Sequence, residues 1–322
     1  FQSEGAAMSR YAAGRSARQK GNGSIERVNA MLEEKLDSGL EYEALQLFKG
    51  QAARKAAKGD LEAAAKLAET GAEALIKRGY VDSASELTNQ LIEIYKDGNC
   101  PVTEERLDTI KRLDGLYIDI REGRCHFKGK GSEAGLIQAG KLQTRFLKSA
   151  IAWSIEVGTR QHGDPLINFL LGRCLFSQGN YEGGAARVVS AERPKELVEF
   201  ISDSMKSLDS IPLEIAKEQL FCLSLLHFLS LGNLRDANRS LKMWGERYPS
   251  SGSNGLLKFC KLLCLTCEYD AAPMFKSLAD SLRGINDQSV DKHIAQIGKL
   301  YFGIKPPPSM LDGILGMLGM TS

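Results

Sequence analysis

Apolar side chains recur along this chain at intervals of three and four residues, the spacing that places them on one face of a helix. Ile25, Val28, Leu32 and Leu36 form one such stripe, with Ser24 placed to cap it. Leu107, Ile110, Leu113, Leu116 and Tyr117 form another, within a helix expected over 102–121 and cappable by Thr103. Arg106 stands where a capping box needs a carboxylate or amide, so no box is expected there. A long helix is expected from about Glu133 to Val157. A stop and restart follow at His162-Gly163-Asp164-Pro165, with Asp164 as cap and Pro165 in the first helical position. The same grammar continues to Phe302, broken by a flexible serine- and glycine-rich loop at 248–255. Nowhere do apolar and polar residues alternate over a strand's length. The fold class is all-α.

The helices come at a fixed period. Gly39-Leu40-Glu41-Tyr42-Glu43-Ala44, Gly59-Asp60-Leu61-Glu62-Ala63-Ala64 and Gly79-Tyr80-Val81-Asp82-Ser83-Ala84 stand twenty residues apart. Looser copies begin at Gly179, Gly232 and Cys267, the last running to Ala272. The first residue of each copy is read as a helix stop, and the last as a small contact in the first turn of the next helix. One helix per twenty residues is the period of a helical-repeat array. Such arrays usually hold partners.

Composition narrows the function without naming it. Of 322 residues, 43% are hydrophobic and 25% charged, and the formal net charge is +2, too small for a dominant nucleic-acid-binding field. Seven cysteines, an odd number without dense spacing, predict reduced thiols and a cytosolic protein. The longest apolar run, 220–229, is too short to cross a bilayer, and no signal segment opens the chain. Phe1-Gln2-Ser3 reads as a tag remnant, Met8 as the native start, and residues 1–23 as a disordered basic arm. Two helical-repeat halves are expected, 24–160 and 161–322, the second including an apolar tail.

Candidate chemistry is sparse. Cys260, Cys264 and Cys267 share a helical face but lack a nearby fourth ligand, so they are read as small core hydrophobes. His126, His162, His227 and His293 are scattered, and His227 is expected in the core. Gly129-Lys130-Gly131-Ser132 departs from a phosphate loop in spacing, and no strand precedes it. No catalytic residue, cofactor or metal is expected. Surfaces remain: Arg27, Arg54 and Glu86, the last read as standing in a helix's first turn where the dipole favours a carboxylate. The chain ends in a proline run followed by Met310, Leu311, Ile314, Leu315, Met317, Leu318 and Met320.

From about Ile25 to Met320 the sequence resembles the Golgi-to-ER traffic protein four family, scaffold subunits of the guided-entry pathway for tail-anchored membrane proteins. The resemblance rests on Tyr42-Glu43-Ala44 with Arg54 following, Ser83-Ala84-Ser85-Glu86-Leu87, Gly163-Asp164-Pro165, and the run from Ile297 to Ile304 leading through prolines into the tail. It implies a cytosolic, right-handed α-solenoid of antiparallel helical hairpins with two working ends. The N-terminal half would dock on the pathway's targeting ATPase, with Arg27 and Arg54 as basic contacts and Glu86 as an acidic regulatory residue, where the family commonly has aspartate. The C-terminal half would grip a ubiquitin-like-domain adaptor around Leu300, Phe302, Met310, Leu311, Ile314 and Leu315. Through that adaptor it would reach a tetratricopeptide co-chaperone loaded with client. The short 248–255 loop implies that the adaptor clasp some members carry is reduced or missing. An RNA-binding helical repeat is the alternative, suggested by the basic arm and by Arg124, Lys128 and Lys130. Small net charge and the lack of periodic stacking residues weigh against it. A helical-repeat enzyme is disfavoured by the empty search for chemistry.

Overall fold

A computed structural model of the chain describes residues 27, 30–124, 133–205, 212–249, 255–282 and 288–304. Among them every regular element is an α-helix. Helix α1 covers 30–37. It is followed by α2 (Glu41–Ala57), α3 (Leu61–Lys77), α4 (Val81–Asp97), α5 (Glu104–Arg121), α6 (Glu133–Val157) and α7 (Pro165–Ser177). Then come α8 (Tyr181–Ser190), α9 (Pro194–Ser204), α10 (Leu213–Ser230), α11 (Leu234–Arg247), α12 (Gly255–Glu268), α13 (Ala272–Leu282) and α14 (Gln288–Phe302). The chain divides into two compact units that part within α7, one through Cys174 and one from Leu175.

The twenty-residue period arises from a two-sided helix junction. At the end of α2, Gly59 has φ +77° and its N–H donates to Ala56 O, while the Asp60 N–H donates to Lys55 O. These are the paired bonds of a Schellman stop, which needs the left-handed backbone that glycine adopts without strain. Asp60 then caps α3, its carboxylate accepting from the Ala63 N–H (3.4 Å). Asn180 and Asn233 serve both roles in the second unit, closing one helix through their N–H groups and capping the next through their side chains. The period extends one step beyond the glycines to Asn99, φ +46°, which ends α4 with the same bond pair.

The sixth copy is corrected. Cys267 lies buried inside α12, and the left-handed stop after that helix is Asp270, φ +50°. In the true register the small-residue position, fully buried as Ala44, Ala64, Ala84 and Ala237 elsewhere, falls to Phe275. Its ring lies 4.7 Å from that of Phe302, and a Cβ on Gly298 would stand 2.9 Å from it, so a glycine on the partner helix replaces the missing small residue.

Those alanines set close helix spacing, and Gly71 carries it further. A Cβ on Gly71 would stand 2.6 Å from the Phe48 ring and 2.7 Å from Leu87, so α2 and α4 both press against bare backbone of α3. Each unit has one tryptophan. In the first, Trp153 packs on Tyr95 and donates to Cys100 O (3.0 Å). In the second, Trp244 stacks on Phe221 with ring centroids 4.1 Å apart. The expected capping holds too: Thr103 Oγ1 accepts from the Arg106 N–H, and Asp164 accepts from the Leu166 N–H (2.8 Å) with Pro165 opening α7.

Candidate partner-binding surfaces

In α2 the apolar residues Ala44, Leu45, Phe48 and Ala52 are buried. With one face inward, the basic residues of this helix fall at its flank and outside. Lys49, at the flank, reaches across to α4 and pairs with Glu86 (2.6 Å), and its backbone carbonyl accepts from Gln90 Nε2 (3.2 Å). Lys55 pairs with Asp60 (3.3 Å). Arg54, in the last turn, is exposed and has no ion-pair partner among the described residues. Arg27 is helical and exposed. Farther along α1, Glu33 and Asp37 hold Arg78 from the end of α3, which ties the first helix into the array.

Glu86 does not stand in the first turn of its helix, contrary to the expectation from sequence. Helix α4 begins at Val81, so its first-turn carboxylate is Asp82 and Glu86 stands in the second turn. The charge partner of Glu86 is Lys49, and Glu86 lies beyond the first turn, within which the helix dipole acts. Lys49 was invisible to a reading along the chain because it lies on another helix.

At the other end, Leu300 and Phe302 part company. Leu300 is 49% exposed and lies over the α10–α11 turn, 2.9 Å from where a Cβ on Gly232 would stand. Phe302 turns inward against Phe275. Met310, Leu311, Ile314 and Leu315 lie outside the described residues, as do Gly129-Lys130-Gly131-Ser132 and residues 250–254 of the short serine- and glycine-rich loop. Tyr248, where that loop begins, packs on Trp244 (4.6 Å between centroids).

The cysteine triplet packs as expected of small hydrophobes. Cys260, Cys264 and Cys267 are buried, and burial pushes the Cys264 and Cys267 thiols up to about 12, which keeps them protonated at neutral pH. Among the described residues no three His, Cys, Asp or Glu side chains converge as a metal site. The scattered histidines conceal one pairing. His227 is only partly buried and its ring lies 5.3 Å from that of His293, whose Nδ1 is 3.0 Å from Ser230 Oγ. Among the described residues no helix is long and apolar enough to cross a membrane.

Antiparallel helices joined by repeated two-sided stops define an α-helical repeat protein. A solved structure that it resembles is a crystal structure of C. therm. Get4, at a TM-score of 0.69 and 21% identity, covering 93% of this chain and 96% of that one, which makes the fold an α-solenoid. Residues 58–320 match the family model of Golgi to ER traffic protein 4, and the chain belongs to that family. Its relatives include Protein GET4 of Arabidopsis thaliana, 24% identical over 92% of this chain and 95% of that protein. The Golgi to ER traffic protein 4 homolog of Homo sapiens is 25% identical over 98% and 91% respectively. The matched region contains Glu86 and Leu300 but begins after Arg27 and Arg54.

Proposed function

We propose that this chain is a non-enzymatic scaffold in the delivery of tail-anchored membrane proteins, joining a targeting ATPase at its N-terminal helices to a ubiquitin-like-domain adaptor at its C-terminal helices. The adaptor in turn brings a tetratricopeptide co-chaperone with its client, and the work is done in the cytosol. Family membership supports the setting in Golgi-to-ER traffic. The observation that carries the N-terminal assignment is the state of the cations on α2. Lys49 and Lys55 are neutralised within the chain, whereas Arg54 stands exposed among described residues that offer it no carboxylate. A cation kept free at a helix end is suited to an acidic patch on a partner.

Reversing both N-terminal arginines, Arg27→Glu with Arg54→Glu, is expected to weaken ATPase binding by about tenfold or more at physiological salt, since two attractive contacts become repulsive. Helicity and melting should stay at parental values, both side chains being exposed. Titration of labelled ATPase by anisotropy is the test, and parental affinity in the double variant removes the assignment.

Glu86 is proposed to act on the partner's hydrolysis more than on attachment. Lys49 masks its charge in the free chain, so an incoming cation must compete with an exposed pair that is worth about 1 kcal/mol at most. Lys49→Met, which unmasks Glu86, and Glu86→Lys, which abolishes it, are expected to shift the ATP hydrolysis rate in opposite directions with less than about threefold change in affinity. Rates measured at saturating scaffold decide this. Identical rates for parent and both variants would reject the role.

A further inference from the structure

Helix α6 packs on α4 and α5 through Ala139, Gln143, Phe146, Leu147, Ala150 and Trp153. On its opposite side a second stripe runs the length of the helix at intervals of three and four: Ala134, Ile137, Lys141, Arg145, Lys148, Ala152 and Ile155. Every one of these is exposed, Ile137 by 53% and Ile155 by 44%. At 100° per residue all seven fall within roughly 80° of arc, a narrow face along about 32 Å of helix. It carries three cations at its centre, a large aliphatic side chain toward each end, and no carboxylate.

The cations are conspicuous because most lysines and arginines on the preceding helices are paired. Between residues 30 and 97, every lysine and arginine except Arg54 and Lys58 holds a carboxylate. Lys141, Arg145 and Lys148 have no ion-pair partner among the described residues. Carboxylates at the margins are engaged elsewhere, Asp82 with Gln138 (3.2 Å) and Glu156 with Lys96 (2.9 Å). Like charges three and four residues apart on a helix repel by roughly 0.2–0.5 kcal/mol per pair. Carboxylates from outside would relieve that repulsion.

We propose that the outer face of α6 docks an acidic amphipathic helix of a partner protein. Carboxylates at positions i, i+4 and i+7 of that helix would meet Lys141, Arg145 and Lys148, and an apolar residue toward each end would cover Ile137 and Ile155. The straight seam and the small Ala134 and Ala152 suit the close approach of a second helix. Single-stranded nucleic acid would call for aromatic stacking surfaces, and this face has none. A bilayer surface would call for a broad exposed apolar face beside the basic one, and here the apolar face of α6 lies opposite the stripe, packed into the core.

The probe is a fluorescein-labelled, alanine-rich helix of about twenty residues, matched to the span of the stripe. It carries glutamates at i, i+4 and i+7, a leucine one turn before the first and another two turns after the last. Anisotropy titration with the full chain at physiological salt is expected to show saturable binding that weakens as salt rises. Lys141→Glu, Arg145→Glu and Lys148→Glu together should weaken it by about tenfold or more, and the corresponding triple glutamine variant by somewhat less. Ile137→Ser with Ile155→Ser should weaken it by about threefold. Circular dichroism confirms that each variant keeps its helices, and the glutamine variant decides the matter if the reversed one does not. Absence of binding, equal binding by parent and glutamine variant, or retained binding of a peptide with lysines in place of the glutamates would overturn the proposal. So would tighter, charge-dependent binding of a poly-uridine strand or of phosphatidylserine vesicles.

Discussion

Gly71→Leu is expected to destabilise the first unit by about 3 kcal/mol, and Gly71→Ala by about 1 kcal/mol. At this position even a methyl carbon would stand 2.6 Å from Phe48 and 2.7 Å from Leu87, and both side chains are fully buried. Neither neighbour can turn into solvent, so α2 and α4 must move away from α3. The better helix propensity of alanine returns only about 1 kcal/mol of the overpacking cost. Leucine gains nearly the same propensity but adds three more carbons to a filled space, so its net cost is larger. The two tryptophans, one per unit, allow the effect to be localised. In a Trp244→Phe background, urea unfolding followed by Trp153 fluorescence should shift to lower midpoint for Gly71→Leu. A midpoint within error of the parent would mean that α3 does not carry the close approach described. Because α4 bears Glu86 and α2 bears Arg54, the same substitution should also weaken the proposed ATPase binding without altering any residue of the surface proposed for it.

Gly71 also marks the limit of what a reading along the chain can recover. The all-α class, the start and end of α6, and the Asp164–Pro165 restart were legible because each depends on neighbours in sequence: periodic apolar residues, a cap, a proline. The twenty-residue period was legible where its left-handed stop is glycine. It was lost at Asn99 and Asp270, two of the non-glycine residues that take the same backbone at an energetic cost. That loss shifted the sixth copy by three residues and hid the exchange of alanine for Phe275 against Gly298. Contacts between helices were not legible at all. Lys49 and Glu86, His227 and His293, and Gly71 with Phe48 are brought together by stacking, and nothing local to either partner announces the other.

The buried network at Asp114 is of this second kind, and removing its centre is expected to cost about as much as overfilling Gly71. Asp114 on α5 is fully buried. One carboxylate oxygen accepts from Gln143 Nε2 on α6 (2.7 Å) and the other from Arg173 Nη2 on α7 (2.5 Å). Gln143 Oε1 in turn accepts from Arg121 Nη1 (3.0 Å). Three helices are therefore joined through one anion. Asp114→Ala leaves the buried Gln143 amide without its acceptor and opens a cavity. A loss of about 3 kcal/mol follows, at the lower end of the range for broken buried pairs because Arg173 is partly exposed and can turn to water. Asp114→Asn keeps the shape and separates charge from packing. Burial raises the Asp114 pKa above 3.8, outweighing the opposing pull of Gln143 and Arg173. Between 3.8 and that raised value the folded chain holds a proton that the unfolded chain has released. The group's contribution to stability is therefore fullest below 3.8 and is lost as pH rises through the folded value. An asparagine side chain does not titrate, so the stability of the parent minus that of Asp114→Asn should fall as pH rises through this window and then level off. Urea unfolding of both proteins across a pH series measures the difference directly, with the other titrating groups cancelling. A difference that instead rises with pH would mean that Arg173 and Gln143 outweigh burial, and that the network binds Asp114 as a well-solvated anion.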